Sequence, residues 1–253
     1  MGYEVMKDYL QIKNISKSYQ QNNEKMLVLQ DINFSVDKGE FAAILGPSGC
    51  GKTTLLKIIA GFLKTEKGAV YKKGERLSGS SPDRIMVFQE FSQLFPWKTV
   101  LDNVIFALKA KKIAGNSIER EEIAHYFLEK VELSDVYNYY PHQLSGGMKQ
   151  RAALARTLAA DPELMLMDEP FGSLDSQTRS TLQSLLLDIW QEAQKTILFV
   201  THDIKEAILL ADCIIVMDKN PGQIKEIFYN ELKRPRNIVS PEFTQLYELI
   251  SGI

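Results

Sequence analysis

The stretch Gly46-Pro47-Ser48-Gly49-Cys50-Gly51-Lys52-Thr53 ("GPSGCGKT", 46–53) decides the fold of this chain. The apolar run before it, "FAAILG" (41–46), is typical of a short buried strand, and "KTTLLKIIAGFL" (52–63) after it has helical apolar spacing. The spacing G-x-x-x-x-G-K-[ST] between a strand and a helix indicates a nucleotide phosphate site. Its glycines let successive backbone amides converge on one phosphate group. An α/β fold built around this loop is therefore predicted.

Two side chains of the loop have chemistry that suits a nucleotide. Lys52 is expected to reach the β- and γ-phosphates, and the Thr53 hydroxyl to ligate Mg²⁺. Thr54 follows in the first helical turn and is counted with the binding loop. Cys50 lies among loop amides and beside Lys52, which favours its thiolate form; the alternative is a small filler residue without chemistry. For the stretch as a whole, the alternative is an ordinary glycine turn.

Strand and helix patterns alternate on both sides of the loop. Strands are predicted at 10–20, 26–40, 84–89, 163–170, 196–203, 212–218 and 222–229, and helices within 99–113, 117–133, 147–160, 178–193 and 241–253. Such alternation predicts a mainly parallel sheet with crossover helices. We expect a single domain over 1–253. Its parts are an α/β core with a β subdomain (1–92 and 160–230), a helical subdomain (93–159) and a short C-terminal tail (231–253).

Acidic residues and a histidine follow two of the predicted strands. "LMLMDE" (164–169) ends in Asp168 and Glu169, and "ILFVTHD" (197–203) delivers His202. Because carboxyl ends of parallel strands meet at one sheet edge, these residues should lie near the phosphate loop. Asp168 is then placed to hold the Mg²⁺ hydration shell, and Glu169 to polarise an attacking water. The alternative for the acidic pair is capping of the next turn.

A second anion-binding pattern occurs at "LSGGMKQR" (144–151). Ser145, Gly146 and Gly147 come directly before a helical run, where free amides and the helix dipole favour an anion. The alternative is an N-capped helix that binds no ligand. A chain with one phosphate loop has no evident need for another.

The order of these motifs resembles that of the ATP-binding-cassette (ABC) ATPases over nearly the whole chain. The residues that carry the resemblance are Tyr19, the loop at 46–53, Gln89, "LSGGMKQR", "LMLMDEP" (164–170), "SLD" (173–175) and His202. The resemblance implies an ABC ATPase fold with an N-terminal antiparallel β subdomain, ATP as the nucleotide, and a catalytic histidine at 202. It implies that Tyr19, in the polar turn before the second strand, stacks on adenine. It also implies that Gln89 touches Mg²⁺ or the lytic water, and that Asp175 communicates between subunits.

The resemblance explains the second anion site. In this family two cassettes associate head to tail, so Ser145, Gly146 and Gly147 of one chain close over ATP held by the partner's loop. A homodimer with ATP sandwiched between its chains is therefore expected. This chain has Met148 where most members carry glutamine. Activity should survive, because the serine hydroxyl and the glycine amides face phosphate in that arrangement.

Several segments resemble those of nitrate, sulfonate and taurine importers, a subgroup that includes pyrimidine-precursor systems. They are "FPWKTVLDNV" (95–104), Met148, "THDIKEAILLAD" (201–212), "MDKNPGQI" (217–224) and "RPR" (234–236). The resemblance implies membrane permease subunits, a periplasmic or lipid-anchored solute-binding protein acting indirectly, and a cytoplasmic location on the inner face of the membrane. Residues 94–97 (Leu94, Phe95, Pro96 and Trp97) would line a groove for a permease helix; the alternative is packing within the helical subdomain.

Net charge, cysteine content and the length of apolar runs bear on which other classes of protein are compatible with the sequence. A net charge of −2 argues against a nucleic-acid partner, two distant cysteines suit a reducing compartment, and no apolar run approaches the roughly 18 residues of a membrane span. A DNA-repair or chromosome-maintenance ATPase is the main alternative, but it requires a long coiled-coil insert. A kinase would share only the phosphate loop. The transported solute is not encoded in this chain.

Overall fold

A computed structural model describes residues 7–21, 24–88, 93–172 and 174–253. The chain divides into two compact units. The first comprises Met1–Ser81, Leu164–Glu169 and Gln194–Ile253, and the second comprises Pro82–Glu163 and Pro170–Ala193. Both strands and helices form as the sequence predicts, and the predicted α/β fold with a parallel sheet is confirmed.

The strands and helices follow one another in an order close to the predicted one. Along the chain they are β1 (Leu10–Gln21), β2 (Glu24–Val36), β3 (Phe41–Leu45), α1 (Lys52–Ala60), β4 (Lys67–Lys72), β5 (Glu75–Arg76), β6 (Arg84–Val87), α2 (Val100–Ala110), α3 (Ser117–Lys130), α4 (Gly146–Ala159), β7 (Leu164–Asp168), α5 (Ser176–Ala193), β8 (Thr196–Thr201), α6 (Ile204–Leu210), β9 (Cys213–Asp218), β10 (Gln223–Tyr229) and α7 (Pro241–Ser251).

The core sheet of the first unit has the strand order β10-β9-β3-β8-β7. Strand β3 runs parallel to β8 and β9, and β7 runs parallel to β8, whereas β10 is antiparallel to β9. Every residue of β3, β7 and β8 is buried. Such continuous apolar strands are typical of a parallel sheet covered on both faces. Since β3, β8 and β7 are parallel neighbours, their carboxyl ends lie side by side.

The antiparallel sheet of the first unit has the strand order β2-β1-β4-β5. Buried and exposed residues alternate at the end of β2, where Ile32, Phe34 and Val36 point inward. Strands β4 and β5 were not predicted, because lysines and Gly68 interrupt the apolar pattern of this stretch. Strand β4 forms because β1 supplies a partner, as in the pairing of Ile12 with Val70, and β5 pairs in turn with β4.

The helices of the second unit pack on a common apolar cluster. Val100, Val104 and Leu108 recur every four residues on α2 and are fully buried there. Helices α3 and α4 complete the cluster with residues such as Leu128 and Ala155. Side chains cap α2 and α3: Thr99 accepts from the Asp102 amide, and Asn116 from the Glu119 amide.

Two helices lie in the C-terminal third of the first unit. The predicted helix at 241–253 is confirmed as α7, which Ser240 caps by accepting from the Phe243 amide. Helix α6 was not predicted, since its seven residues are too few to show a period. Across the described ranges, no helix has the length and apolar character needed to cross a membrane.

Candidate functional site

Polar side chains gather where β3, β7 and β8 end in the first unit. The phosphate loop follows β3, Asp168 ends β7 with Glu169 after it, and His202 follows β8. Sequence reasoning expected these residues at one sheet edge. The structure brings five of them together, and we call them the strand-end cluster: Lys52, Thr53, Asp168, Glu169 and His202.

The Lys52 ammonium is held by its own loop. Its Nζ donates to the Gly46 carbonyl at 2.7 Å and to the Pro47 carbonyl at 3.1 Å. It also lies 3.8 Å from Glu169 Oε1. Only 5% of the side chain is exposed, so these partners offset the cost of burying the charge. The positive charge is thereby fixed within the loop.

Two glycines give the loop its shape. Gly51 has a φ of +99°, and a Cβ there would lie 2.6 Å from Leu29 Cδ2, so no larger residue fits. Gly49 has a φ of +84° and open space around it. Within the described ranges, the amides of both glycines donate to no protein acceptor. With the start of α1 behind them, these donors can take phosphate oxygens.

Thr53 and Asp168 join the loop to β7. The Thr53 hydroxyl donates to Asp168 Oδ1 at 3.1 Å. Burial raises the pKa of the Asp168 carboxyl, while the Thr53 hydrogen bond opposes this and the charge of Glu169 adds to it. A hydroxyl and a carboxylate are hard oxygen ligands of the kind that Mg²⁺ prefers. Among the described residues, no three His, Cys, Asp or Glu side chains form a group that could hold a metal ion.

Glu169 lies between a cation and an imidazole. Its Oε1 faces Lys52, and its Oε2 is 3.0 Å from His202 Nδ1. The backbone has a φ of +44°, which is uncommon for glutamate, and its amide donates to the Val200 carbonyl at 3.0 Å. Strained backbone of this kind concentrates at functional sites. The carboxylate is therefore held between Lys52 and His202, and the backbone that carries it is fixed to β8.

Cys50 is buried, and burial raises the pKa of its thiol more than Lys52 lowers it. Burial therefore favours the neutral thiol, in agreement with the interpretation of Cys50 as a small filler residue without chemistry. The sulfur packs against Gly46, where an added Cβ would lie 3.0 Å from it. Cys50 is thus a small filler residue. Cys213 is also free and buried.

Tyr19 lies within β1 rather than in a turn. It pairs with Met26 of β2, and β1 continues to Gln21, so the predicted strand over 10–20 is confirmed at Tyr19 and its placement in the following turn is wrong. The ring is 37% exposed, and Lys17 Nζ lies 5.6 Å from its centroid. An exposed aromatic face is suitable for stacking. Gln89, the other residue expected near the nucleotide, lies outside the described residues.

The signature segment, residues 144–151, lies in the second unit. Ser145 caps α4, and its Oγ accepts from the Met148 amide at 3.3 Å. In the portion of the chain that the structure describes, the amides of Gly146 and Gly147 donate to no protein acceptor. The Met148 side chain packs against the helical cluster. Capping and anion binding are compatible here, because they use different donors.

Asp175 precedes α5 in the same unit. Its Oδ1 accepts from the Thr178 amide at 3.0 Å, and hydrogen bonds from Thr178 lower the pKa of this exposed carboxyl. Thr178 also abuts the signature segment, since a Cβ on Gly147 would lie 3.0 Å from Thr178 Cγ2. Gly147 and Asp175 therefore both lie next to Thr178.

Residues 94–99, which we call the aromatic loop, contain both buried and exposed apolar side chains. Leu94 is buried in the helical cluster, whereas Trp97 is 71% exposed. The ring centroids of Phe95 and Trp97 are 5.5 Å apart, and those of Phe95 and Phe106 are 4.7 Å apart. The loop thus anchors through one apolar residue and presents an aromatic surface.

Sequence reasoning missed Asn103, which holds the aromatic loop. The side chain is fully buried on α2, where its Nδ2 donates to the Phe95, Lys98 and Thr99 carbonyls and its Oδ1 accepts from the Phe95 amide. An asparagine within the apolar stripe of a helix is the signal that could have revealed it, because a buried amide requires partners.

A phosphate loop on a parallel sheet, with carboxylates at the end of a neighbouring strand, defines a nucleotide-hydrolysing α/β protein. Residues 29–172 match the family described as ABC transporter, and the chain belongs to that family. It is an ATP-binding subunit and an ATPase.

Curated relatives cover most of the chain. An uncharacterised ABC transporter ATP-binding protein of Methanocaldococcus jannaschii is 48% identical over 98% of this chain and 92% of its own length. The aliphatic sulfonates import ATP-binding protein of Bacillus thuringiensis is 43% identical over 93% of this chain and 91% of its own. The nitrate import ATP-binding protein of Synechococcus elongatus is 40% identical over 94% of this chain and 88% of its own length.

A solved structure is similar over most of the fold. It is a dimeric ATP-binding cassette in a post-hydrolysis state bound to ADP and Pi, with a TM-score of 0.79 and 34% identity. The match covers 88% of this chain and 100% of that one. The predicted ABC ATPase fold is confirmed.

Proposed function

We propose that this chain is the ATPase subunit of an ABC importer, which hydrolyses Mg-ATP between two head-to-tail copies and drives uptake of a small solute of the nitrate, sulfonate or taurine type or a related metabolite. The proposal that the chain hydrolyses ATP at this site rests on the position of Glu169. Its two carboxylate oxygens face Lys52 and His202, and the Thr53–Asp168 pair belongs to the same cluster.

In this proposal Glu169 is the acceptor that polarises the lytic water. The contact with His202 Nδ1 orients the carboxylate, and Lys52 supplies a fixed positive charge for the terminal phosphate. The amides of Gly49 and Gly51, with the other loop residues, bind phosphate oxygens. Gln89 and Tyr19 keep the roles that the family resemblance implies: contact with Mg²⁺ or the water, and stacking on adenine.

The donor set at Thr53 and Asp168 fits Mg²⁺. The hydroxyl and the carboxylate are already 3.1 Å apart, and both are hard oxygen ligands. Thr53 would bind the ion directly and Asp168 through its hydration shell. When bound, Mg²⁺ would neutralise charge on the phosphates. Burial raises the pKa of Asp168 and so disfavours its charged form. A bound cation would offset this cost by stabilising the carboxylate.

The signature segment supports the dimer. Ser145 and the amides of Gly146 and Gly147 present donors at the start of a 14-residue helix, a place that favours anions. We assign these donors to ATP on the partner chain, with Asp175 near the same contact. The dimeric state of the solved relative is consistent with this assignment.

The aromatic loop is the proposed contact with a membrane permease subunit. Trp97 exposes a large aromatic surface, and Phe95 and Phe106 pack beside it. Aromatic anchors of this kind commonly dominate interface energy. The chain would then work on the cytoplasmic face of the membrane, while a separate solute-binding protein selects the solute. The relatives include ATP-binding proteins of sulfonate and nitrate import, which favours import over the DNA-repair alternative.

Replacing Trp97 by alanine tests the membrane contact. The isolated Trp97→Ala subunit should keep its Mg-ATPase rate within about twofold, because the strand-end cluster is intact. Its copurification with detergent-solubilised permease subunits should fall at least tenfold, since loss of an aromatic anchor costs about 2 kcal/mol. Ile118→Ala is a matched control, because Ile118 is 70% exposed in the same unit. Equal copurification of the two variants would refute the assignment.

A further inference from the structure

His202 stands on a short link between a strand and a helix. The two residues His202 and Asp203 separate β8 from α6. The Asp203 amide donates to Thr201 Oγ1 at 3.0 Å, and its Oδ1 accepts from the Lys205 amide at 2.8 Å and the Glu206 amide at 3.3 Å. Because Asp203 caps α6, the backbone that carries His202 is tied to the start of this helix.

Helix α6 is short and well packed. It has seven residues and is therefore about 10 Å long, and Ala207, Ile208 and Leu210 are fully buried. A helix of two turns packed on the core moves as one piece. Any interaction that fixes its C-terminal end therefore also fixes the position of His202 at its other end.

A buried arginine binds the C-terminal end of α6. Arg236 Nη1 donates to the carbonyls of Ile208 at 2.8 Å, Leu209 at 3.2 Å and Ala211 at 2.7 Å. Only 1% of its side chain is exposed. A guanidinium is favourable there because the last carbonyls of a helix lack backbone partners and carry partial negative charge. Burial lowers the pKa of Arg236 to about 10, and the nearby charge of Arg234 adds to this.

The same arginine connects α6 to the strand that carries the phosphate loop. Its Nη2 lies 3.5 Å from Asp212 Oδ1, and Asp212 Oδ2 accepts from the Phe41 amide at 3.2 Å, at the first residue of β3. The Asp212 amide donates to the Phe41 carbonyl at 2.7 Å. Arg236 thus connects α6, the helix after His202, to β3, the strand before the phosphate loop.

We propose that Arg236 is a positioning residue for ATP hydrolysis, which fixes α6 so that His202 stays within hydrogen-bonding reach of Glu169. The inference rests on the proposed roles of His202 and Glu169. Arg236 donates three hydrogen bonds to the end of α6, and we expect it to act on the His202–Glu169 contact through that helix. Its loss should slow the hydrolytic step and leave ATP binding intact.

The test compares four variants of the full-length chain in steady-state Mg-ATPase assays, with folding checked by melting temperature. Arg236→Met should lower kcat at least tenfold with KM for ATP within twofold of wild type. Arg236→Lys keeps a charged donor for the helix end but loses the Nε contact with the Leu232 carbonyl and the Nη2 contact with Asp212, so it should show a smaller loss of the same kind. Lys233→Met, an exposed change in the same segment, should match wild type. His202→Ala should be severely impaired.

A double-mutant cycle separates positioning from general damage. In the His202→Ala background, measured at high enzyme concentration, Arg236→Met should change the residual rate by less than twofold. The chain has three histidines, so the ¹⁵N imidazole spectrum can resolve His202. Its Nδ1 resonance should lose the signature of the Glu169 hydrogen bond in both Arg236 variants. Should Arg236→Met fail to fold, Arg236→Lys and this resonance decide the matter.

Three outcomes overturn the inference in distinguishable ways. If Arg236→Met lowered the ATPase rate of His202→Ala by the same factor as it lowers that of the wild-type chain, Arg236 would not act through His202. Folded Arg236 variants with wild-type kcat and an unchanged His202 resonance, beside an impaired His202→Ala, would refute it while the proposed function stands. Wild-type turnover by His202→Ala would instead refute the proposed role of His202, and the inference with it.

Discussion

The strand-end cluster of the first unit and the signature segment of the second are both suited to phosphate, but they differ in their internal partners. In the cluster, Lys52, Thr53 and Glu169 are each paired with another protein group. In the signature segment, the amides of Gly146 and Gly147 donate to no acceptor among the described residues.

The two regions therefore differ in whether their phosphate-binding groups are ordered before ATP binds. Charged groups that hold one another are preorganised before ATP arrives, so they suit the chemical step. Unpaired amides at a helix start gain partners only when an anion is presented to them. We therefore expect changes in the cluster to act on chemistry, and changes in the signature segment to act on closure of the dimer.

The largest effect is expected for Glu169→Gln. The amide keeps the size of the side chain but cannot polarise the water, so phosphate release should fall at least about 100-fold. ATP affinity should stay within a few-fold, and size-exclusion chromatography with Mg-ATP should show a trapped dimer. Glu226→Gln, on the exposed face of β10, is the control. Near-normal turnover of Glu169→Gln would show that the acceptor is another group.

Asp168→Asn should separate activity from stability. Burial raises the native pKa of Asp168 above its unfolded value, so the native state binds more protons between the two values and stability falls as pH rises through that window. At neutral pH the variant without nucleotide or Mg²⁺ should therefore melt about 2–4 °C higher while losing Mg-ATPase activity. The gain should vanish as the pH is lowered towards 4.

Exposed Asp188 provides the control for this comparison. Asp188→Asn should leave the melting temperature unchanged at both pH values. A lower melting temperature for Asp168→Asn at neutral pH would mean that the carboxylate stabilises the free protein, contrary to the cost of its burial.

A smaller effect is expected for Gly147→Ala in the signature segment. The new methyl group would lie 3.0 Å from Thr178 Cγ2, so the start of α4 or α5 must shift by a few tenths of an ångström. Turnover should fall about tenfold or less, with unchanged ATP binding by the isolated chain. Gly115→Ala, which has room for a methyl group, should be silent. Loss of ATP binding in Gly147→Ala would contradict the assignment of Gly147 to closure.

Local patterns were enough to predict the parallel sheet and the strand-end cluster. Apolar runs in β3, β7 and β8 and the loop motif each occur within one short segment, and the common edge follows from parallel strands. The predictions failed where the structure depends on contacts between residues that are far apart in the sequence. Pairing with β2 extends β1 to Gln21, so Tyr19 lies in the strand and not in the turn that the resemblance implied. Burial of Cys50 and the contacts of Arg236 with α6 come from tertiary packing.

Mixed dimers test whether the signature segment of one chain closes over ATP held by the phosphate loop of its partner. Lys52→Ala removes the phosphate contact, and Ser145→Arg blocks closure by bulk, so each homodimer should be nearly inactive. Two affinity tags allow purification of a dimer with one change on each chain, and of a wild-type chain paired with the double variant.

The head-to-tail arrangement puts both defects of the first dimer in one composite site and leaves the other site intact. We predict that this dimer regains part of the wild-type Mg-ATPase rate, whereas the wild-type/double-variant dimer, with one defect in each site, stays inactive. Activity confined to the wild-type/double-variant dimer would mean that each chain uses its own signature segment, and would contradict the account.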